Sequence, residues 1–584
     1  MTRRWLGWVC AGCAFTGIWS VVAQGQVRDT ARVTRTSRAV CAGQVISRID
    51  IQTYPPFDSG GSSFAARIAH IATSLHSTTR ASVVRRYLAL QVGDRCNEFR
   101  RRESERILRA QPFLADAEVV AAPDGAGGVV IRVVTVDETS LILDGSASAK
   151  APVARAFRLG DQNIGGGGVA ASAGWQYARF RRDIFRGKLV DYQFLGRPYQ
   201  FSLDGTRNAI GGSWNMETSH PFLTDLQRVS WRVTMGQERV YRDFDRVGAP
   251  DVSLLLARAY GDVGGVVAVG PRAQGHHFLV GGTLSRERER TGRMPVLITD
   301  SAIVPDTSTA LIGRYGEHRS TRVNLLLGFR DVSFVTVHGF DAVEGAQDVR
   351  TGVQIATLIG RGIHVNDNDE RDYFLSGDLY AGHATPASFT GLEVMTERRR
   401  ALDLHQWDGM LASSRFAWYL HPAPKHTSLV DLEYSGGWRS RVPFQLTFAD
   451  REGGLRGFAS SELGGGQRLV TRFEERYQLG HVRQFAALAG AFFVDAGKLW
   501  AGDSPFGVNT GVKASVGIGL LAALPPRSRR TWRIDIAHAL NDPTSKGVEV
   551  RFSNHDFTRW FWREPGDVQT GRERAIPNSI YNWP

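Results

Sequence analysis

Two short clusters in this 584-residue chain contain residue types that could carry chemistry. The glycine run Gly165–Gly168 could cradle a phosphate group, because the backbone N–H groups of a glycine-rich turn can point at an anion. No Lys-Ser or Lys-Thr pair follows the run, as a nucleotide-binding loop would require, and we interpret it as a tight hairpin turn. The pair His276-His277 does not stand at a metal-ligand spacing with other ligand residues.

The sequence motifs of three common catalytic centres are absent from the chain. It contains no GxxxxGK[ST], no HExxH and no GxSxG. Each of these motifs places a nucleophile, a base or a set of ligands at the spacing that its reaction needs. The sequence therefore predicts no catalytic residue, no metal site and no cofactor, and it favours a protein that is not an enzyme.

The first 25 residues have the three parts of a secretory signal peptide. A basic start at Arg3-Arg4 precedes an apolar stretch from Trp5 to about Val22, and small residues around Ala23 suit signal peptidase. A permanent anchor helix is one alternative, and Ala11-Gly12-Cys13 faintly resembles a lipoprotein cleavage site. We predict a cleaved signal peptide over residues 1–25, and hence export from the cytoplasm.

The cysteines fit an exported protein. Of the four, Cys10 and Cys13 would leave with the signal peptide, while Cys41 and Cys96 would remain. An oxidising compartment allows a disulfide to persist between the remaining pair. We favour a Cys41–Cys96 disulfide, with two free thiols as the alternative.

The composition excludes several classes of protein. With 42% hydrophobic and 22% charged residues the chain is too apolar to be intrinsically disordered. Beyond the first 25 residues no apolar run approaches the roughly 18 residues that a membrane-spanning helix needs. The net charge of +13 comes from scattered arginines, often beside acids, without the basic and aromatic interleaving typical of nucleic-acid binding. We expect no nucleic-acid partner.

A small α/β domain is predicted at residues 45–138, after a flexible polar lead at 26–44. The pattern indicates a strand, three helices, of which the third is capped by Asn97, and two further strands. In chain order these elements are Val45–Ile51, Phe64–Leu75, Arg80–Leu90, the helix after Asn97, Ala117–Val120 and Val129–Val136.

From about residue 145 to 557 the helical period disappears and apolar residues alternate with polar ones. A soluble sandwich or propeller alternates in this way, and so does a transmembrane β-barrel with an apolar outside and a polar inside. The signal peptide, the many arginines and the aromatics near segment ends favour the barrel. At roughly 25 residues per strand and turn we expect about 16 antiparallel strands, closed because lipid tolerates no unpaired edge. The alternating segments include Tyr199–Leu203, Val229–Met235, Phe444–Phe448 and Val548–Phe552.

Several motifs resemble the POTRA-plus-β-barrel superfamily of outer-membrane assembly factors, also called bacterial surface antigen proteins. Gly93-Asp94 and the helix Glu103–Arg109 are similar to one polypeptide-transport-associated (POTRA) domain, and Gly454–Phe458 is similar to the (V/I)RG(F/Y) motif of the family. The resemblance implies a mainly β fold, in which one small α/β POTRA domain precedes a closed transmembrane β-barrel.

The resemblance also implies roles for individual residues. Leu455, Arg456, Gly457 and Phe458 would lie on a loop folded into the barrel lumen. Arg456 would there meet Glu474 and Asp495, because a guanidinium enclosed in a lumen needs carboxylate partners. The family's C-terminal strand signal resembles four residues, Ser545, Gly547, Val550 and Phe552.

The chain departs from the family at its C-terminus. The family usually stops within about a residue of its last strand, whereas here a tail of residues 558–584 follows. The tail could be periplasmic, could dock inside the lumen, or could mean that the last strand is misplaced.

The resemblance implies an integral outer-membrane protein, with the POTRA domain in the periplasm, that captures unfolded client strands and templates their insertion at the barrel seam. Its partners would be unfolded outer-membrane or secreted polypeptides, outer-membrane lipid and periplasmic or lipoprotein accessory subunits. One alternative is a secretion pore for a dedicated polypeptide, although the secretion members carry two POTRA domains and an amphipathic plug helix that residues 26–44 do not resemble. A passive channel is the other.

Overall fold

The structure, a computed structural model, describes residues 41–57, 76–148, 154–178, 180, 182–270, 276–367, 369–402, 405–483, 485–542, 545, 547–556 and 561–575. The predicted signal peptide, the lead up to residue 40 and the predicted helix Phe64–Leu75 lie outside the described residues. Within them, no helix is both long and apolar enough to cross a membrane.

The N-terminal part forms an α/β domain. Its sheet has the order β2-β1-β4-β3, with β1 parallel to β4 and the outer pairs antiparallel. The predicted cap is present, because the Asn97 side chain accepts a hydrogen bond of 3.2 Å from the backbone N–H of Arg100. The elements are β1 Ala42–Tyr54, α1 Ala81–Arg85, β2 Arg95–Asn97, α2 Glu98–Arg109, β3 Leu114–Pro123 and β4 Val129–Asp137.

The core of this domain lies between the sheet and the two helices. Ile46, Val84, Leu108 and Ile131 are fully buried there, and Cys41 is joined to Cys96 by a disulfide. The predicted helix over residues 80–90 ends at Arg85, because the chain beyond it makes turn bonds and then bonds to another element. The backbone N–H of Ala89, for example, donates to the Ser104 hydroxyl over 2.9 Å.

The rest of the chain is almost entirely β. The strands are β5 Leu141–Ser148, β6 Ala154–Asp161, β7 Val169–Gln176, β8 Ile184–Phe194, β9 Tyr199–Asn208, β10 Gly211–His220, β11 Val229–Arg246, β12 Ala249–Val269, β13 His276–Thr291, β14 Val296–Ile298, β15 Ile303–Pro305, β16 Glu317–His338, β17 Ala346–Gly362, β18 Asp372–Thr385, β19 Ser388–Ala401, β20 Gln406–Ala423, β21 His426–Trp438, β22 Leu446–Thr447, β23 Gly464–Gly465, β24 Gln467–Val482, β25 Ala486–Trp500, β26 Lys513–Ala523, β27 Arg530–Ala539 and β28 Val548–Asp556. A 3-10 turn spans Ile164–Gly166, and helix α3 spans Gly566–Gly571.

Within the described residues, twenty of these strands close into an antiparallel barrel. It runs from β5 to β13, from β16 to β21 and from β24 to β28, which pairs with β5. The hairpin β14–β15 extends from β12, and β22–β23 is a separate two-stranded sheet. The prediction of about 16 strands is therefore wrong. The barrel begins at Leu141 and ends at Asp556, so each strand with its connection takes about 21 residues, and four of the connections are only two residues long.

The two faces of the barrel strands confirm the transmembrane interpretation over the soluble sandwich. On β13 the outward side chains of Phe278 and Val280 are 61% and 46% exposed. The alternate residues Thr283, Ser285 and Glu287 are buried inside. A barrel with an apolar outer face and a polar inner face is suited to a surrounding of lipid rather than water.

One predicted barrel strand is absent from the wall. Phe444, Leu446 and Phe448 alternate in sequence but are all buried within the barrel, in one cluster with Leu455 and Phe458. They precede the Arg456 motif in the connection between β21 and β24, where only Leu446–Thr447 has strand geometry. Their spacing arises because apolar side chains anchor a loop folded inward.

The α/β domain docks directly onto the barrel. The Arg109 guanidinium donates to both oxygens of Asp348 on β17, over 2.9 and 2.8 Å. Arg106 donates to the carbonyl of Leu223 in the β10–β11 turn over 2.7 Å and also bonds Glu103. Burial acts to raise the pKa of the Glu103 carboxyl, but Arg106 and the Thr224 hydroxyl outweigh it and lower that pKa below its ordinary value.

We predict that the disulfide stabilises the α/β domain. Replacing Cys41 and Cys96 by serine removes a cross-link between residues 55 positions apart in sequence. In the chain-entropy model this loss lowers the free energy of unfolding by about 4 kcal/mol. Hydrogen exchange of β1 and β4 amides in the full protein should accelerate, while barrel strands such as β20 serve as the internal reference. Unchanged exchange in the domain would contradict a stabilising role.

Candidate functional site

The luminal loop, which we define as residues 448–463, is anchored inside the barrel by apolar contacts. Leu455 and Phe458 are fully buried, and they pack with Val470 and Leu499 of the wall strands. The rings of Phe458 and Phe448 meet edge to face with 5.7 Å between their centroids. These contacts fix the position of Arg456, which lies in sequence between the anchored residues Leu455 and Phe458.

Arg456 joins the luminal loop to two wall strands. Its Nε and Nη2 atoms donate to Asp495 on β25 over 2.7 and 2.6 Å, and its Nη1 donates to Glu474 on β24 over 2.8 Å. The guanidinium carbon also lies 3.4 Å from the centroid of the Phe493 ring. The planar fork therefore uses both carboxylates and an aromatic face together. The structure brings together the three charged residues that the sequence paired.

Glu474 is shared by further arginines that the sequence analysis missed. Arg533 on β27 donates to both of its oxygens over 2.7 and 2.8 Å, and Arg476 donates over 2.6 Å. Arg533 in turn bonds Asp535 over 2.7 Å. Alternation along β27 was an available signal, because Ile534 faces outward and so places Arg533 and Asp535 inside.

Gly457 occupies a position that favours glycine. Its φ is +89°, and a Cβ there would lie 3.1 Å from the backbone nitrogen of Ala539 on β27. Its own N–H donates to the Glu549 carboxylate on β28 over 2.8 Å. The close approach lets the luminal loop bind the last barrel strand directly.

The seam between the last and first strands is short. Among the described residues, β28 and β5 share four partner pairs, from Glu549↔Ser148 to Phe552↔Gly145, whereas β28 and β27 share nine. A ladder of four pairs holds fewer backbone hydrogen bonds than its neighbour. Of the two strand pairings that β28 makes in the described residues, the one with β5 is therefore the weaker.

The luminal loop crosses this seam through Arg451. Its Nη2 atom lies 2.6 Å from the Asp144 carboxylate on β5 and donates to the carbonyl of Phe552 on β28 over 3.1 Å. Arg551 on β28 donates back to the carbonyls of Arg451 and Leu455, each over 3.3 Å. One loop thus contacts both strands of the seam, which the sequence analysis did not foresee.

The four residues of the expected C-terminal signal separate into two positions. Ser545 and Gly547 lie in the β27–β28 turn, where Gly547 has a φ of +101°. Val550 and Phe552 lie on β28 and are paired across the seam. The aromatic ring of Phe552 contacts Trp532 on β27 at 5.8 Å between centroids.

Part of the barrel, including the luminal loop, matches a known protein family. Residues 426–554, which include the luminal loop, Glu474, Asp495 and most of β28, match the Omp85 superfamily domain. This part of the chain is an Omp85 superfamily domain. The predicted resemblance to the superfamily of outer-membrane assembly factors is thereby confirmed, and the barrel is that of an integral outer-membrane protein.

Solved structures show a looser likeness to the chain as a whole. BamA from Haemophilus ducreyi lacking POTRA domains 1–3 is 14% identical with a TM-score of 0.36, and the match covers 88% of this chain and 85% of that one. CdiB from Escherichia coli is 12% identical with a TM-score of 0.44, over 87% of this chain and 76% of that one. No curated protein matches the chain.

We predict that Arg456→Ala destabilises the barrel. The change leaves Asp495, which is fully buried, without its guanidinium, and breaking a buried pair costs about 3–5 kcal/mol. Arg456→Lys should be intermediate, because an ammonium cannot bond two carboxylates in one plane. The thermal midpoint, followed by the gel mobility of the folded barrel, measures the effect.

The matched control is Arg288→Ala, which removes an exposed arginine paired with Glu317 on the adjacent strand. Exposed pairs contribute about 1 kcal/mol or less, so this variant should melt close to the parent. Equal midpoints for the alanine variants at 456 and 288 would contradict the central role of Arg456.

A second prediction concerns Arg451. Its partner Asp144 and Arg451 itself are both partly exposed, so Arg451→Ala should weaken the seam by about 1 kcal/mol or less. Amides of β5 and β28 should then exchange faster, by up to about fivefold. Arg319→Ala, which removes a similarly exposed pair on β16, should leave the seam amides unchanged. Indistinguishable seam exchange in the two variants would show that Arg451 does not bridge the seam functionally.

Proposed function

We propose that this Omp85 protein is an outer-membrane protein assembly factor, an insertase that templates client β-strands at its seam. The four-pair seam between β28 and β5 is the observation that carries the proposal. A strand edge exposed by opening this seam presents unpaired N–H and C=O groups, which lipid cannot satisfy and a client strand can. The reaction exchanges hydrogen bonds and needs no covalent step or cofactor.

The luminal loop gives the seam a defined closed state. Its bonds to Glu549 and Arg551 hold β28, and its Arg451 reaches Asp144 on β5. Opening therefore has to break the Arg451 bridge together with the four ladder pairs of the described seam, while β28 stays bound to the loop. We infer that β5 moves away from β28 and that β28 is the templating strand.

We further propose that the α/β domain is a periplasmic POTRA domain that captures unfolded polypeptides by β-augmentation. Strand β3 borders its sheet and is ten residues long. The Glu105 carboxylate accepts from the N–H of Val119 over 3.1 Å, and Arg101 donates to the carbonyl of the same residue. A client strand that pairs along the whole of β3 has to displace these two side chains.

The contents of the lumen favour a seam route over a pore. The luminal loop and residues 561–575 of the tail both lie inside the barrel and bond to its wall. A secretion pore or a passive channel requires a continuous path through that space. Insertion at the seam does not require one, so we place the insertase ahead of both alternatives.

The proposal is tested by locking the seam. Ala147 and Val550 are backbone partners across it, so the pair Ala147→Cys/Val550→Cys can form a disulfide. In liposomes the parent protein should accelerate folding of a small barrel client, and the oxidised double variant should lose that acceleration. Seam opening is then prevented while the rest of the barrel is unchanged.

The control pair Ile536→Cys/Val550→Cys links β27 to β28, which are also partners. It should remain active when oxidised, and reduction should reactivate only the seam pair. Equal client folding with and without the parent protein would refute the insertase function. An active locked seam would refute the route.

A further inference from the structure

The C-terminal tail re-enters the barrel as an internal ligand. Strand β28 ends at Asp556 beside Arg530, whose guanidinium donates to the Thr139 carbonyl at the junction with the α/β domain. From that side the tail, residues 561–575 as described, runs through the lumen to contacts on β12, β13, β16 and β19. Of the three possibilities open from the sequence, docking in the lumen is the one that the structure shows.

Charged side chains of the tail pair with charged side chains of the wall. Glu573 bonds Arg322 over 3.0 Å and also bonds Arg399. Arg572 donates to Glu397 over 3.0 Å. Asp567 lies against Arg468, with 3.1 Å between its Oδ1 and the Nη2. Because these side chains are largely buried, loss of the tail would remove the carboxylate that pairs with Arg468, and would leave Arg322 and Arg399 with the wall residue Asp372 but without Glu573.

Wall arginines also donate hydrogen bonds to backbone carbonyls of the tail. Arg258 on β12 donates to the carbonyls of Thr570 and Arg572 over 3.0 and 3.3 Å. Arg415 on β20 donates to the carbonyl of Phe561. Carbonyl recognition of this kind is independent of side-chain identity, and it identifies the occupant's chemistry as polypeptide rather than a free anion.

An aromatic contact fixes one end of the tail. The Phe561 ring meets Tyr380 at 5.7 Å and Phe389 at 6.0 Å between centroids, in edge-to-face geometry. Trp562 beside it is buried. A cavity of about 240 Å³ separates this end from the Arg456 loop and is lined by both, so the tail is not packed into the wall along its whole length.

We propose that the luminal groove lined by Arg258, Arg322, Arg399 and Arg468 is a peptide-binding site, which the tail occupies in cis and which a segment of another polypeptide can take in its place. The partner is an extended segment with an aromatic end and alternating basic and acidic residues, as in Arg572-Glu573-Arg574. The inference goes beyond the insertase function, because it concerns the lumen and not the seam.

Occupancy of the groove is connected to the luminal loop. The backbone N–H of Asp567 donates to the Asp450 carboxylate over 3.1 Å, and that carboxylate also accepts from the backbone of Glu452 and Gly453. Asp450 directly precedes the seam-bridging Arg451. A ligand that replaces the tail therefore changes a contact adjacent to the bridge.

The test uses a variant that ends at Asp556 and a fluorescent synthetic peptide of residues 561–575. Anisotropy should show saturable binding of the peptide to the truncated barrel, and at least about tenfold weaker binding to the full chain, whose groove is occupied. A peptide with Glu573→Arg should bind at least about tenfold more weakly than the parent peptide. The matched control is Arg563→Glu, a charge reversal at an exposed tail residue, which should bind within about threefold of the parent.

A second measurement in the full chain covers the case in which the truncated barrel fails to fold. Ala575 is buried, so a cysteine placed there by Ala575→Cys should react slowly with a maleimide. Adding Glu573→Arg should speed the labelling at least about tenfold, and adding Arg563→Glu should not.

Equal affinity of the truncated barrel for the parent and Glu573→Arg peptides would overturn the proposed site, as would equal labelling rates for the two full-chain variants. Both measurements are made without a client, so they are independent of the outcome of the insertase test.

Discussion

Pairing of buried guanidinium and carboxylate groups is the interaction on which this barrel depends. The outside of the wall faces lipid, so many polar and charged side chains of the strands face inward, where a buried charge needs a counter-charge. Arg456 meets that need for Asp495 and Glu474 from a loop, and Glu573 meets it for Arg322 and Arg399 from the tail. Chain segments that are not part of the wall thus complete the wall electrostatically.

Hydrogen bonds between the luminal loop and β28 explain how a short seam and a stable barrel coexist. The described part of the seam has four ladder pairs, but β28 is also bound from inside through Glu549 and Arg551. The luminal loop therefore stabilises the position of β28, and the β28–β5 ladder can remain short. Across the seam the loop offers the partly exposed Arg451–Asp144 contact, which contributes little energy. Under the proposed insertase function, β5 is therefore the strand that separates from β28.

The sequence predicted those features that rest on local pattern or on a family motif. Alternation predicted the barrel and its polar interior, and the motif around Arg456 predicted its partners Glu474 and Asp495. Arg533 and Arg451 were missed because their contacts depend on strand register and on the path of the loop, neither of which alternation fixes. Phe444–Phe448 was assigned to the wall because a loop anchored by alternate apolar residues has the period of a strand.

The number of barrel strands determines the width of the lumen, and the width of the lumen explains why the tail lies inside it. The diameter of a barrel grows roughly in proportion to its strand number, so twenty described strands enclose a wider lumen than the expected sixteen would. The luminal loop bonds to β24, β25 and β28 and packs against β27 on one side of that lumen. The far side, at β12, β16 and β19, is reached by the tail. A wider barrel with inward charges all round needs a second internal segment, and the tail beyond β28 supplies it.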